Sequence, residues 1–219
     1  MTERPFPEAD KTYWRAQLPM LLLFLVLPSV IELVLTAADH GWLATQRLRT
    51  TAYQNGAFWT GLLGNWRPNY PGQPVTMFLT YSFLHAGLWH LTGNMMALIV
   101  LMQMTASALR GWRLSAVYVV SAVGGALGFA LLGAALNPMV GASGALFGLA
   151  GAWRWLEWRQ IEGAGRRALT VLRDVVIMVA LNALMWLAQD RALAWEAHLG
   201  GFAAGVAAMA ALPRRRGDQ

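Results

Sequence analysis

The sequence predicts an all-α polytopic membrane protein, a bundle of six transmembrane helices with a long interfacial first loop. Three observations carry that prediction. Hydrophobic residues fill 57% of the 219 positions and charged ones only 13%, a balance far from that of soluble domains. Six stretches approach the ~20 mostly apolar residues that cross ~30 Å of hydrocarbon. Arginines gather in short groups between those stretches, the pattern of loops on one side of a bilayer.

The chain divides into a cytoplasmic N-terminal segment (1–17), a membrane domain (18–212) and a basic cytoplasmic tail (213–219). The first span is 18–37. Glu3, Arg4, Glu8, Asp10, Lys11 and Arg15 before it make a poor secretory leader, so the span is expected to be retained. Glu32 sits in it as an acid with no obvious partner. A loop over 39–75 follows, rich in Gly, Pro, Asn and Trp. Its Trp42, Trp59, Trp66 and Tyr70 suit the headgroup layer, so it should be ordered and lie partly in the membrane surface. The remaining spans are placed at 84–108, 114–136, 140–156, 171–187 and 194–212. With the N-terminus inside, every Lys and Arg falls on inner segments except Arg47, Arg49, Arg67 and Arg191, and both termini are cytoplasmic. Topology thus accounts for the net charge of +6. A nucleic-acid reader would need a basic, aromatic-bearing face on a soluble domain, and none is visible. The absence of cysteine removes disulfides, thiolate metal sites and a thiol nucleophile.

In this topology the second, fourth and sixth spans run inward from the outer side, and each carries polar residues in its first turns. The second holds His85, His90 and Asn94; the fourth opens Gly141-Ala142-Ser143-Gly144; the sixth holds His198, Gly201 and Gly205. Their common depth predicts one polar pocket. A serine hydroxyl is a weak nucleophile until a neutral imidazole accepts its proton, and Ser143 and His198 are that pair. His90 and Asn94, at i and i+4, share a helix face and could donate to the oxyanion. The Ser143 backbone N–H adds a donor if a helix starts there. Gly144, Gly148 and Gly151 opposite Gly201 and Gly205 would permit the close helix contact that sets the Ser143–His198 distance. On a straight helix His85 lies about 140° from His90 and off its face, so its role is to orient the pocket or bind water at its mouth. Glu196, two residues from His198, points the other way on a helix, so a dyad is expected. Each feature has a plainer reading: Gly-Ala-Ser-Gly as packing, His90 and Asn94 as an interhelical hydrogen-bond pair, His85 as an interfacial side chain.

Taken together, Gly141-Ala142-Ser143-Gly144, His198 followed by Gly201 and Gly205, and His85-x4-His90-x3-Asn94 resemble a rhomboid intramembrane serine protease, over about 18–212. The resemblance implies a Ser143–His198 dyad and oxyanion stabilisation by His90, Asn94 and the Ser143 backbone N–H. It also implies a first loop that braces the core in the outer leaflet. Substrates would be transmembrane segments of other proteins, entering sideways near the second and fifth spans and unwinding locally. Two departures stand out. Many relatives carry Trp-Arg where this chain has Thr76-Met77, so the usual arginine anchor of the loop is missing and its architecture should differ. Many bacterial relatives place Tyr four residues after the serine, stacked on the histidine, whereas Phe147 here keeps the ring and loses the hydroxyl.

No cofactor or metal is expected, since the histidines lack a nearby acid or thiolate set and His-Glu-x-x-His is absent. Two rival readings are a noncatalytic rhomboid-like protein that binds membrane clients and, further off, a small-solute transporter. The short six-span core and basic inner loops point to a bacterial inner membrane, with the site opening to the periplasm.

Overall fold

A computed structural model describes residues 11–45, 47–106, 108–133, 137–188 and 193–213. The segment before Lys11, Arg191 and the arginines from residue 214 onward lie outside the described residues. The helices are α1 (Lys11–Leu21), α2 (Leu27–Asp39), α3 (Leu48–Gly56), α4 (Gln73–Thr80), α5 (Leu88–Met104), α6 (Trp112–Leu132), α7 (Ser143–Trp158), α8 (Ala164–Ala188) and α9 (Trp195–Ala211). Phe58 and Met139 form an isolated antiparallel bridge. This is an all-α polytopic membrane fold.

α1 and α2 join through a π-helical stretch, Leu22–Val26, into one continuous 29-residue helix. That stretch ends two residues before Pro28, whose missing N–H interrupts the i→i−4 ladder. Tyr13, Gln17, Met20, Phe24, Glu32 and Leu35 make its buried stripe, while Leu18, Leu22, Val30 and Leu33 face outward, where a membrane protein meets lipid. The helix begins earlier than the predicted 18–37 because its first turns are polar yet anchored: the Tyr13 hydroxyl donates to the Met102 carbonyl at 2.7 Å.

Among the described residues the first loop contains α3. An arginine does anchor it, from an unpredicted position. Arg49 on α3 donates to both Glu32 carboxylate oxygens at 2.7 and 3.0 Å, to Asp39 at 2.6 Å and to the His85 carbonyl at 3.0 Å. Glu32 is therefore not an acid without a partner. These acceptors hold the Arg49 guanidinium above its ordinary pKa, hydrogen bonding to Glu32 contributing most. The Tyr53 hydroxyl donates to the same His85 carbonyl at 2.8 Å, and burial pushes that phenol up.

The second span is not the straight helix predicted over 84–108. α4 with a 3-10 turn (Tyr81–Phe83) meets α5 at a bend of 83°. Leu84 is extended and Gly87 takes φ +103°, a conformation that costs other residues dearly; hydropathy continues through the break and conceals it. Among the described residues, Lys11–Asp39, Trp112–Leu132 and Ala164–Leu187 are each long and apolar enough to cross a membrane, and the bent pair would make a fourth. α7, with 16 residues, and α9, with 17, fall short of ~20.

α9 lies between α6 and α7, and glycines line both contacts. A Cβ on Gly201 would stand 1.9 Å from the Gly144 carbonyl oxygen, and one on Gly205 1.9 Å from that of Gly148. On the other side, a Cβ on Gly200 would meet the Gly124 carbonyl oxygen at 2.4 Å. The α6 glycines Gly124 and Gly128 were not anticipated. α8 lies outside this trio, with none of its apolar window buried.

Candidate active site

Gly141 takes φ +122°, and a Cβ there would stand 2.7 Å from His90 Cε1, so both backbone and space demand glycine. Ala142 then caps α7, which begins at Ser143. The N–H groups of this first turn consequently lack i−4 partners. Ser143 Oγ lies 2.8 Å from Nε2 of His198 on α9, and His198 is 1% exposed. Phe147, one turn after Ser143, stacks on the imidazole with centroids 4.1 Å apart and planes 7° from parallel. The ring contact survives without a phenol hydroxyl.

The other imidazole nitrogen is occupied as well. His198 Nδ1 is 2.6 Å from the carboxamide oxygen of Asn182 on α8, and the Asn182 nitrogen donates to the Met178 carbonyl at 2.8 Å. Sequence reasoning missed Asn182. The signal was an amide inside an otherwise apolar stretch, Val175–Leu187, where polar groups are costly and usually face a partner.

His90 lines the same cavity as Ser143 and His198; its volume is about 410 Å³. Tyr53, Tyr81, Phe129, Trp186, the loop residues 137–141 and residues 193–197 leading into α9 add to the wall. The cavity thus lies at the end of the bundle where α5, α7 and α9 begin. The Ala86 N–H donates to His90 Nδ1 at 3.3 Å, so the neutral ring carries its proton on Nε2. Its Nε2 faces Gly141, where the close approach described above occurs. Asn94 is buried but is not part of the cavity wall; its Nδ2 donates to the His90 carbonyl at 2.9 Å. The structure therefore brings Ser143, His198, His90, Gly141, Gly144 and Phe147 together, with Asn94 buried one turn after His90 on α5.

His85 precedes α5 rather than lying on it, and its ring meets His90 edge-on at 5.2 Å. The expectation that the two histidines lie on different faces assumed a straight helix. The bend at Gly87 overturns it. Gly201 and Gly205 act at a distance from the cavity, through the α7–α9 contact. Among the described residues no group of three or more His, Cys, Asp or Glu gathers as a metal site would require. A hydroxyl oxygen held 2.8 Å from an imidazole nitrogen, with N–H donors beside it, is suited to forming a nucleophile and receiving the negative charge that attack creates.

The family model for the rhomboid domain matches residues 72–215. The chain is similar to RHOMBOID-like protein 1 of Arabidopsis thaliana, 33% identical over 134 residues, which covers 60% of this chain and 33% of that one. RHOMBOID-like protein 5 of the same plant is 32% identical over 127 residues, 56% of this chain and 39% of its own. RHOMBOID-like protein 6, mitochondrial, also from Arabidopsis thaliana, is 29% identical over 144 residues, covering 64% and 45%. The chain thus spans less than half the length of each of these relatives.

Proposed function

The chain belongs to the rhomboid family, and from that premise we propose that it is an intramembrane serine endopeptidase that cuts transmembrane segments of other membrane proteins. The observation that carries the reading is the 2.8 Å contact between Ser143 Oγ and His198 Nε2 on the wall of a cavity inside an apolar bundle. In this reading Ser143 Oγ forms a bond to the substrate carbonyl carbon as its proton passes to His198 Nε2. The oxygen that gains negative charge receives hydrogen bonds from the Ser143 N–H and from His90 Nε2–H. Collapse of the intermediate breaks the peptide C–N bond, and His198 returns the proton to the departing amine. Water then attacks the acyl-enzyme, with His198 again taking a proton, and Ser143 is regenerated. Asn94 supports this donor set from behind by bonding the His90 carbonyl, and His85 packs on its ring.

The Lys and Arg distribution supports a cavity that opens away from the cytoplasm, with both termini inside. The short core and basic inner loops support a bacterial inner membrane. The decisive experiment exposes detergent-purified protein to a fluorophosphonate and maps the adduct. Labelling of wild type at Ser143, lost in Ser143→Ala and His198→Ala, is expected. A folded wild-type protein that takes no label and cleaves no transmembrane reporter would return the chain to the noncatalytic, client-binding reading.

A further inference from the structure

We propose that Asn182 is a positioning residue: its carboxamide oxygen holds His198 in the tautomer whose Nε2 can accept the Ser143 proton. The inference rests on the peptidase reading and adds to it a residue from a fourth helix, α8.

The two ends of a carboxamide are not interchangeable here. Asn182 Nδ2 donates to the Met178 carbonyl one turn earlier at 2.8 Å; turning the amide over would set oxygen against oxygen. Its Oδ1 is therefore the atom that faces His198 Nδ1 at 2.6 Å. That oxygen can only accept, so Nδ1 must carry a proton. A neutral imidazole protonated on Nδ1 presents a lone pair on Nε2, the nitrogen 2.8 Å from Ser143 Oγ. His90 is set the opposite way by the Ala86 N–H on its Nδ1. The cavity thus holds one histidine as acceptor and one as donor, each fixed by the partner of its remote nitrogen.

The setting of α8 supports the same reading. With no part of its apolar window buried, this helix presents mostly hydrocarbon to lipid, where a spare carboxamide is costly. Two of its polar side chains, Asp174 and Asn182, reach partners on other helices. Asp174 accepts from Arg154 Nε and from Trp158 Nε1, each at 2.8 Å. Asn182, about 12 Å further along the axis at 1.5 Å per residue, meets His198. Glu196, the acid nearest His198 in sequence, has no hydrogen bond to the ring among the described residues.

The test uses full-length protein with 15N-labelled histidine in detergent micelles, the His198 signals being assigned by their loss in His198→Gln. Long-range 1H–15N spectra report which nitrogen bears the proton, and a transmembrane reporter peptide gives kcat and KM. Wild type should carry the His198 proton on Nδ1. Asn182→Leu should show mixed tautomers and lower kcat by roughly 10², with KM within about 2-fold. Asn182→Asp, which restores an acceptor oxygen, should recover the Nδ1–H tautomer and most of kcat. A wild-type His198 protonated on Nε2, or an Asn182→Leu protein with unchanged tautomer and kcat, would overturn the proposal. If Asn182→Leu does not fold, the wild-type spectrum alone decides. A chain with the expected tautomers that neither cleaves nor takes label would sink the peptidase reading and leave the Asn182 assignment supported.

Discussion

Ser143 and His198 are set 55 positions apart in the chain and meet at 2.8 Å, which confines the proposed chemistry to two atoms and makes it simple to remove. Ser143→Ala is expected to abolish cleavage of a transmembrane reporter while leaving the thermal unfolding midpoint little changed, since one oxygen is lost from a site that keeps its helices. His90→Ala should lower kcat by roughly 10² to 10³, the cost of one oxyanion donor. Asn94→Ala should lower it less. One Asn94 N–H serves the His90 carbonyl at 2.9 Å and the side chain does not line the cavity, so its loss loosens a support more than it deletes a donor; equal losses in the two variants, measured side by side, would reinstate Asn94 as a direct donor. The identities of Ser143, His198 and His90 were legible in the sequence because polar residues at one depth in apolar spans are rare and costly. Asn182 was not, because its amide differs from any lipid-exposed asparagine only by what stands opposite it.

Among the elements, α9 matters most, since it carries His198 between α6 and α7 on contacts that admit no side chain. Gly205→Ala would drive a methyl into the Gly148 carbonyl and should destabilise the fold by about 1–3 kcal/mol. It should also slow cleavage, because any retreat of α9 from α7 lengthens the Ser143–His198 contact. Gly93→Ala on α5 has nothing within 4 Å of the added carbon and should leave stability unchanged or raise it slightly. Chemical or thermal unfolding of the two variants in the same detergent checks the contrast. The first loop supplies the second element-scale prediction. Arg49→Met leaves the fully buried Glu32 carboxylate without its cation and should cost about 3 kcal/mol or more. The double variant with Glu32→Met should recover much of that loss, because it removes the uncompensated charge. Thr76-Met77 showed that the usual anchor was absent; that Arg49 takes up the work depended on how α3 folds back against α2.

At the scale of the molecule, the cavity opens where α5, α7 and α9 begin, and the loop between α7 and α8 lies at the opposite end. The chain has no cysteine, so single-cysteine reporters can be placed without background. Asn137→Cys, beside the cavity, should react with a membrane-impermeant maleimide from the outer face of intact cells, and Glu162→Cys only after the membrane is opened. Labelling in the reverse order would invert the orientation. Composition and arginine placement alone determined that this is an all-α, multi-pass membrane chain, because lipid imposes apolarity on every span regardless of its neighbours. Residue type and spacing likewise pointed to Ser143, His198, His90, Gly141 and Gly144, five of the residues that line the cavity. Packing set the geometry: the 83° break before α5, the seat of α9 between two glycine faces, the partner of Glu32 and the oxygen facing His198 Nδ1. Hydropathy records how a residue meets lipid, but a hydrogen bond depends on which side chain a different helix brings to within 3 Å, and that distance is written in packing rather than in order along the chain.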